Sequence, residues 1–394
     1  MAMKRKLLFL TLLFSGARLT AQDLDLGASI RGYGFYSLED SPLQARRDSE
    51  FVVFRLTPEL SLTPNIELET HLLVDLISPP VTPAATIATG STRTYLDLER
   101  RVLNRDNVHS NIAFDRLNAQ INTGAFELVV GRQAITWGVN YFWPALDLFA
   151  PFTPGRIDRD YKPGVDAARL IVPIGAYSEV QVVGAILGDS ISEDGALGGL
   201  IRLNMGTVDF GFMGGTFHED KVAGAFVTAN VAGTGIRGEV SWTQSGDPRD
   251  EGIGRGVFWR GSLGVDRQLT PTLTLLIETA WNQYGATDPE EYLLFVNSDR
   301  LLRGEINALG RYHSGASLTW RFHPLWNFGS IVLLGWDDSS ALWIPSLVWS
   351  TGNNSEMLFG AQLGFGKEPT SVGLPQSEYG SLPHTIFAAF KIYL

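Results

Sequence analysis

The chain has 394 residues and a formal net charge of −11, and charged residues make up only 19% of it. It is rich in glycine (42) and phenylalanine (22), a composition that suits strands better than helices. The acidic balance argues against a nucleic-acid partner. The absence of cysteine excludes disulfides and thiolate metal sites, and the six histidines show no metal-binding spacing, so no cofactor is predicted.

The N-terminus resembles an export signal. Basic residues 4–6 precede a short apolar run over residues 7–14, and a cleavage site is predicted after Ala21. The alternative is an uncleaved anchor helix, but the apolar run is too short to span a bilayer. We therefore expect residues 1–21 to be a signal peptide and residues 22–394 to form one exported domain.

Apolar and polar side chains alternate along most of the remaining chain. In one segment, Leu273, Leu275 and Ile277 alternate with Thr274 and Glu278. No stretch approaches the run of about 18 apolar residues that a membrane helix requires. The mean hydropathy, +0.04, is also too low for a bundle of membrane helices. Alternation with period two is typical of strands that have one lipid-facing and one interior face.

Turn-forming residues divide these segments into predicted strands. The strands fall near 26–36, 50–62, 66–77, 110–122, 125–134, 165–173, 178–187, 197–205, 207–217, 222–232, 235–243, 256–268, 272–284, 308–321, 326–336, 340–350, 355–366 and 383–394. Tight links such as 63–65 and 270–271 alternate with links that are generally longer and polar, such as 78–109 and 285–307. Short turns at one end and long loops at the other are the layout of bacterial outer-membrane barrels, whereas a soluble sandwich has no reason to sort its loops this way.

The predicted fold class is therefore all-β, a transmembrane antiparallel up-and-down β-barrel of about 18 strands. Sixteen strands remain possible because Pro58 and Pro345 lie inside proposed strands, where proline is unfavourable. Within the 78–109 link, residues 95–103 could form a short amphipathic helix or a strand extension.

Two further patterns fit a membrane barrel. Tryptophans are predicted at both interfaces, Trp320 and Trp326 near the short turns and Trp242, Trp281 and Trp336 near the long loops. The last segment, residues 386–394, alternates to the final residue and resembles the terminal strand read by the barrel-insertion machinery of Gram-negative bacteria. It departs from that pattern in ending on Leu394, where an aromatic residue is usual.

The predicted inward faces carry nearly balanced charge. The candidate pore-lining residues are Arg132, Arg169, Glu179, Arg202, Arg237, Glu239, Arg260, Glu278 and Arg311. One interpretation is a water-filled lumen, which a barrel of this width favours. The other is a filled barrel in which these charges pair into a structural network.

Residues 131–170 are the most distinctive segment. A Gly-Arg-Gln run beginning at Gly131 ends one strand, and the returning strand brings Asp166 and Arg169. This pattern resembles several porin-like families, the alginate-export porins among them. The resemblance implies that Arg132 and Arg169 lie on neighbouring strands inside the pore.

The link between these two strands is too apolar for a solvated loop and must be buried or bind something. We expect residues 138–164 to fold into or over the pore as a constriction. Its candidate residues are Trp143, Asp147, Asp158, Arg159 and Asp160. The alternative is a loop that packs on its neighbours outside the lumen.

The favoured function is a pore for small polar solutes in the outer membrane of a Gram-negative bacterium. The alternatives are an export pore for a polysaccharide, a structural barrel within an envelope complex, a barrel enzyme and a soluble secreted all-β protein. No catalytic site is predicted, because His71 and His313 have no serine partner identifiable by spacing. The predicted partners are outer-membrane lipid, the insertion machinery and a polar solute or polysaccharide, with a homo-oligomer or envelope complex left open.

Overall fold

The computed structural model describes residues 23–38, 48–78, 94–105, 107–296, 298–370 and 374–394. The predicted signal peptide, residues 1–21, lies outside this range. Among the described residues, no helix combines the length and the apolar character needed to cross a membrane.

Strands dominate the described chain. They are β1 Asp23–Ser37, β2 Ser49–Thr63, β3 Ile66–Ser78, β4 Glu99–Arg105, β5 Val108–Asn122, β6 Glu127–Gln133, β7 Val165–Ile174, β8 Ser178–Ile186, β9 Gly195–Met205, β10 Val208–Phe217, β11 Asp220–Val231, β12 Thr234–Gln244, β13 Val257–Thr270, β14 Leu273–Asn282, β15 Tyr312–His323, β16 Trp326–Gly335, β17 Ser340–Gly352, β18 Ser355–Phe365 and β19 Thr385–Tyr393. The short helices are α1 Pro248–Gly252, α2 Tyr292–Val296 and α3 Asp299–Leu302, with a 3-10 turn at Pro289–Glu291.

These strands form one closed antiparallel barrel of 18 strands. Each strand of the ring pairs with its sequence neighbours, and β1 closes the ring by pairing with both β2 and β19. Closure gives every strand of the ring a partner on both sides and leaves no free sheet edge, as a membrane requires. The predicted fold class and the count of 18 are confirmed, and the alternative of 16 strands is wrong.

The additional strand, β4, lies outside this count. It pairs with residues Val108 to Ala113 of β5, beyond the part of β5 that pairs with β6. Of the two structures that the sequence left open for residues 95–103, the strand extension is the one formed from Glu99 onward.

The two strand prolines are accommodated by local gaps in pairing. Pro58 keeps its partner on β1, while the β2–β3 ladder skips Thr57 and Pro58. Pro345 keeps its partner on β16, while the β17–β18 ladder skips Ile344 and Pro345. Proline has no backbone N–H to donate, so pairing is interrupted on one side of the strand. The ladder on the other side continues, and the strand stays in the ring.

Side-chain exposure follows the predicted alternation. Leu197 and Phe212 face outward with 62% and 55% of their surface exposed, whereas Leu200 and Phe226 on the same wall face inward and are buried. Water would not tolerate so continuous an apolar outer surface, but lipid does. Of the predicted interface tryptophans, Trp336 is highly exposed, and Trp326 stacks on Trp349 with ring centroids 5.4 Å apart.

The barrel has two distinct ends. At the turn end, which also holds both described termini, links such as Pro64–Asn65 and Gly206–Thr207 are tight. Gly206 adopts a φ of 76°, which glycine accommodates without strain. The loop end carries the long links and the short helices, although the link between β10 and β11 there is also tight.

The barrel interior is packed near the loop end by two apolar clusters. The first covers the inner faces of β8 to β11 and includes Trp137 and Phe149. The second covers β1, β2 and β16 to β19 and includes Phe142, with Trp143 packed against it. Residues from the single link between β6 and β7 therefore contact opposite walls of the barrel.

Candidate pore

The link between β6 and β7, residues 134–164, lies inside the barrel and is called here the inward loop. It leaves the wall early because β6 ends at Gln133 after only seven residues. Gly131 has a φ of 123°, and a Cβ there would lie 2.3 Å from the carbonyl oxygen of Leu117. Only glycine fits that close approach.

A carboxylate of the barrel wall holds the first turn of the inward loop. Glu239 on β12 accepts hydrogen bonds from the backbone N–H groups of Val139 and Asn140, each at 2.5 Å, and from Leu146 at 2.9 Å. Such charge-assisted bonds are among the stronger hydrogen bonds in proteins. Glu239 therefore anchors the loop to the wall.

A second wall carboxylate repeats this arrangement two strands away. Glu278 on β14 accepts hydrogen bonds from the backbone N–H groups of Tyr141 at 2.8 Å, Phe142 at 3.1 Å and Trp143 at 2.7 Å. The loop backbone has no strand partner in the lumen, so these two carboxylates satisfy donors that would otherwise be unpaired.

Apolar packing fixes the inward loop against both walls. Trp137 is fully buried, packs edge-on against Phe149 and Phe217, and donates its indole N–H to Gln181 at 3.0 Å. On the opposite wall Phe142 fills the space above Gly315. The loop thus spans the width of the barrel.

Arginine and lysine side chains on five of six consecutive strands form a band on one wall, called here the cationic row; the remaining strand, β3, lies between β2 and β5 and contributes His71. Its members, in spatial order, are Lys391 on β19, Arg31 on β1, Arg55 on β2, Arg116 on β5 and Arg132 on β6. All five are buried.

The second half of the inward loop lies along the cationic row. Asp158 pairs with Arg31 at 2.5 Å, and Asp160 pairs with Lys391 at 2.9 Å. Burial alone would raise the pKa of Asp160, but Lys391, the Tyr393 hydroxyl and Arg31 together hold that pKa below its usual value. Asp160 is therefore an anion at neutral pH.

The remaining predicted loop residues stabilise the loop itself. Asp147 is buried and pairs with Lys162 at 2.5 Å, and Lys162 also donates to the carbonyl oxygen of Ile135 at 2.6 Å. Arg159 donates to the carbonyl oxygen of Tyr141 at 2.8 Å and stacks on its ring at 4.0 Å. These groups border a cavity of about 290 Å³.

The structure separates the predicted pore-lining residues into two groups. Arg132, Glu239, Arg260 and Glu278 face the interior but are buried by their partners, and Arg169, Glu179, Arg202, Arg237 and Arg311 are partly exposed. Arg132 makes a two-point ion pair with Asp166, its cross-strand partner on β7, at 2.9 and 3.1 Å. Arg132 and Arg169 lie on neighbouring strands, and the pore-lining role of the whole set stays a prediction.

Sequence reasoning missed the ionic network that binds the loops at the loop end. Arg300 on α3 is buried and pairs with Asp220 at 2.5 Å, Asp250 at 2.7 Å and Glu305 at 3.0 Å. Up to 80 residues separate these partners along the chain. The only signal in the sequence is that an arginine lies in an acidic loop region, which more often indicates solvation than a buried pair.

Glu305 carries this network into the barrel. It pairs with Arg300 and Arg303, and Arg260 on the wall lies 3.7 Å from its carboxylate. Burial would raise the pKa of Glu305, but the three arginines together lower it well below its usual value. Residues 305–308 also border a small cavity beside Trp143, so the network joins the outer loops to the inward loop.

Comparisons with known proteins show the fold. OccAB1 and OccAB4 of Acinetobacter baumannii match at TM-scores of 0.59 and 0.57, with 9% and 7% identity. Both alignments cover 96% of this chain; they cover 98% of the OccAB1 chain and 100% of the OccAB4 chain. Pseudomonas aeruginosa OpdK, solved with vanillate, matches at a TM-score of 0.56 with 10% identity over 95% of this chain and 99% of its own. This is the fold of Gram-negative outer-membrane channels.

No family model and no curated protein matches the chain. The resemblance to alginate-export porins that residues 131–170 suggested is not shown. Within the described ranges, no group of three His, Cys, Asp or Glu side chains is arranged to hold a metal ion.

Proposed function

We propose that this outer-membrane channel fold acts as a pore that passes small polar solutes across the outer membrane of a Gram-negative bacterium. One observation supports this most strongly: a closed ring of 18 strands has an apolar outer face and a charged inner face. The apolar face suits lipid, and a ring of this size leaves room for an aqueous path. The similar solved structures are channels of the same membrane.

The inward loop is proposed as the constriction of this pore. Supporting this, it contacts opposite walls through Glu239 and Glu278 on one side and Arg31 and Lys391 on another. Partly exposed charges such as Arg202 and Glu179 then line the path toward the turn end. A solute would meet a wall of both signs, which favours polar over apolar solutes.

We also propose outer-membrane lipid and the barrel-insertion machinery as partners. The terminal strand β19 supports the second, because Ile386 and Phe390 face outward while Phe387 and Lys391 face inward. The signal peptide at residues 1–21 remains part of this proposal, since the fold requires export.

No observation favours polysaccharide export, an envelope complex or a catalytic role over a solute pore. The similar structures are transport channels rather than enzymes, and we propose no catalytic role for this chain.

Planar-bilayer recording of the purified protein tests the proposed function. We expect stepwise ion conductance that falls as polar sugars of increasing size are added. Heat-modifiable gel mobility verifies that the barrel is folded. Folded protein that inserts into lipid but gives no conductance would reject the pore.

A further inference from the structure

The cationic row places like charges next to each other. Arg31 and Lys391 are direct cross-strand partners in the β1–β19 ladder. Like charges directly opposite each other in a sheet are destabilising. Both side chains are also buried, which adds a desolvation cost unless anions are supplied nearby.

The wall supplies anions to only part of this row. Asp115 on β5 pairs with Arg55 at 2.8 Å and also lies 3.4 Å from Arg116. Asp166 on β7 pairs with Arg132. These three arginines therefore share two wall carboxylates without the inward loop, and each has a wall carboxylate within ion-pair distance.

The other end of the row depends mainly on the inward loop. Asp158 forms an ion pair with Arg31. Asp160 forms an ion pair with Lys391 and lies 3.8 Å from Arg31. Among the described residues of the wall, only Glu356 forms an ion pair with Lys391, at the longer distance of 3.7 Å. Removing the two loop carboxylates would leave Arg31 without an ion-pair partner among the described residues.

An aromatic ring covers the same end of the row. The guanidinium carbons of Arg55 and Arg31 lie 3.9 and 5.0 Å from the centre of the Tyr161 ring. Stacking of this kind attracts a guanidinium to the ring face. Residues 158–161 therefore cover two arginines with two carboxylates and one ring.

Residues 158–161 leave some arginine N–H donors of the cationic row without a hydrogen-bond acceptor among the described residues. The Nε atoms of Arg31 and Arg55 are buried and have no hydrogen-bond partner in the described part of the chain. Buried donors normally find partners. The loop segment therefore neutralises Arg31 and Lys391 without saturating the hydrogen bonds of the row.

We propose that Asp158 and Asp160 act as an internal counter-anion that sets the charge selectivity of the pore. With both carboxylates in place, Arg31 and Lys391 do not attract mobile anions. Without them, Arg31 has no ion-pair partner among the described residues and Lys391 keeps the more distant Glu356, so this end of the row draws anions into the constriction. This inference rests on the proposed pore function.

Reversal potentials under a KCl gradient test the proposal in the full-length protein. We expect the chloride-to-potassium permeability ratio to rise about threefold or more in Asp158→Asn/Asp160→Asn, which corresponds to a change of about one kT in local potential. Adding Arg31→Gln and Lys391→Gln to this variant is expected to return the ratio toward that of the wild type.

The control, matched to the single variant Asp160→Asn, is Asp299→Asn, which removes one carboxylate from an exposed ion pair with Arg249 at the loop end. Its permeability ratio is expected to equal that of the wild type. If the double variant does not fold, the permeability ratio of the single variant Asp160→Asn is the test. Asp160 is partly exposed, so its replacement disturbs the fold less than that of the buried Asp158. If a folded, conducting variant keeps the chloride-to-potassium permeability ratio of the wild type, the counter-anion role is overturned. If the folded wild-type protein gives no conductance, the proposed pore itself is overturned.

Discussion

The carboxylate of Glu239 lies 2.5 Å from the backbone nitrogen of Asn140, although 99 residues separate them in the chain. This bond joins the wall of the barrel to a loop that has left the wall. Glu278 makes the equivalent contact with Trp143. The position of the inward loop thus depends on two inward-facing glutamates that a pattern of charges alone would assign to a water-filled lumen.

Replacing these anchors is expected to loosen the loop. Glu239→Gln and Glu278→Gln each offer one acceptor oxygen and turn an amide NH2 group toward the loop N–H groups. We expect each to destabilise the loop by about 1–3 kcal/mol and to increase open-channel noise. Single-channel recording measures the noise. Glu290→Gln, on an exposed loop, is the matched control, and equal noise in all three variants would contradict the anchoring role.

Shortening the inward loop is expected to widen the pore. Deletion of residues 140–160 removes the segment that spans the lumen, while the strands of the ring keep their ladders. Single-channel conductance is expected to rise, and heat-modifiable mobility verifies the fold. Unchanged conductance would reject the constriction.

Enlarging Gly315 is expected to displace the loop without altering any charge. A Cβ at Gly315 would lie 2.6 Å from the ring of Phe142. Overpacking of this kind costs about 1–3 kcal/mol. Gly315→Ala should therefore expose Phe142 to hydrogen exchange or proteolysis, whereas Gly184→Ala, where an added Cβ meets nothing within 4 Å, should not. Equal protection in both variants would contradict the packing argument.

Loss of Arg300 is expected to release the outer loops. Arg300→Met leaves Asp220, Asp250 and Glu305 buried with fewer partners, and breaking a buried network of this kind costs about 3–5 kcal/mol. Faster hydrogen exchange across residues 283–311 is the expected result. Arg249→Met removes an exposed arginine instead and should change little. Wild-type exchange rates in Arg300→Met would show that the network is dispensable.

The same network gives a pH dependence with a defined sign. The pKa of Glu305 in the folded state lies below its usual value of 4.5, so Glu305 stabilises the loops above that pH. This contribution declines as the pH falls below about 4.5 and is lost below the folded-state pKa. The protection factors of residues 283–311, taken relative to the intrinsic exchange rate at each pH, should therefore fall as the pH drops from about 5 to 3. A Glu305→Gln variant should show a smaller fall, and an equal one would assign the effect to other groups.

The sequence alone determined the barrel. Each proposed strand matches an observed one because alternation and turn residues act over a few neighbours, as at residues 66–77 and at the Pro64–Asn65 turn. The favoured count of 18, closure and the sorting of turns and loops follow from that local information, and the structure decided between 18 strands and 16. The two strand prolines did not change the count, because each disturbs only one ladder.

Only the tertiary structure decided what occupies the interior. The bonds from Glu239 to Asn140 and from Asp158 to Arg31 join residues that the sequence separates by 99 and 127 positions. Neither periodicity nor composition records such pairs, because they form only when ring closure brings distant strands around a loop that leaves the sheet. The charge of each wall residue could be read from the chain, but its partner was set by the path of the inward loop.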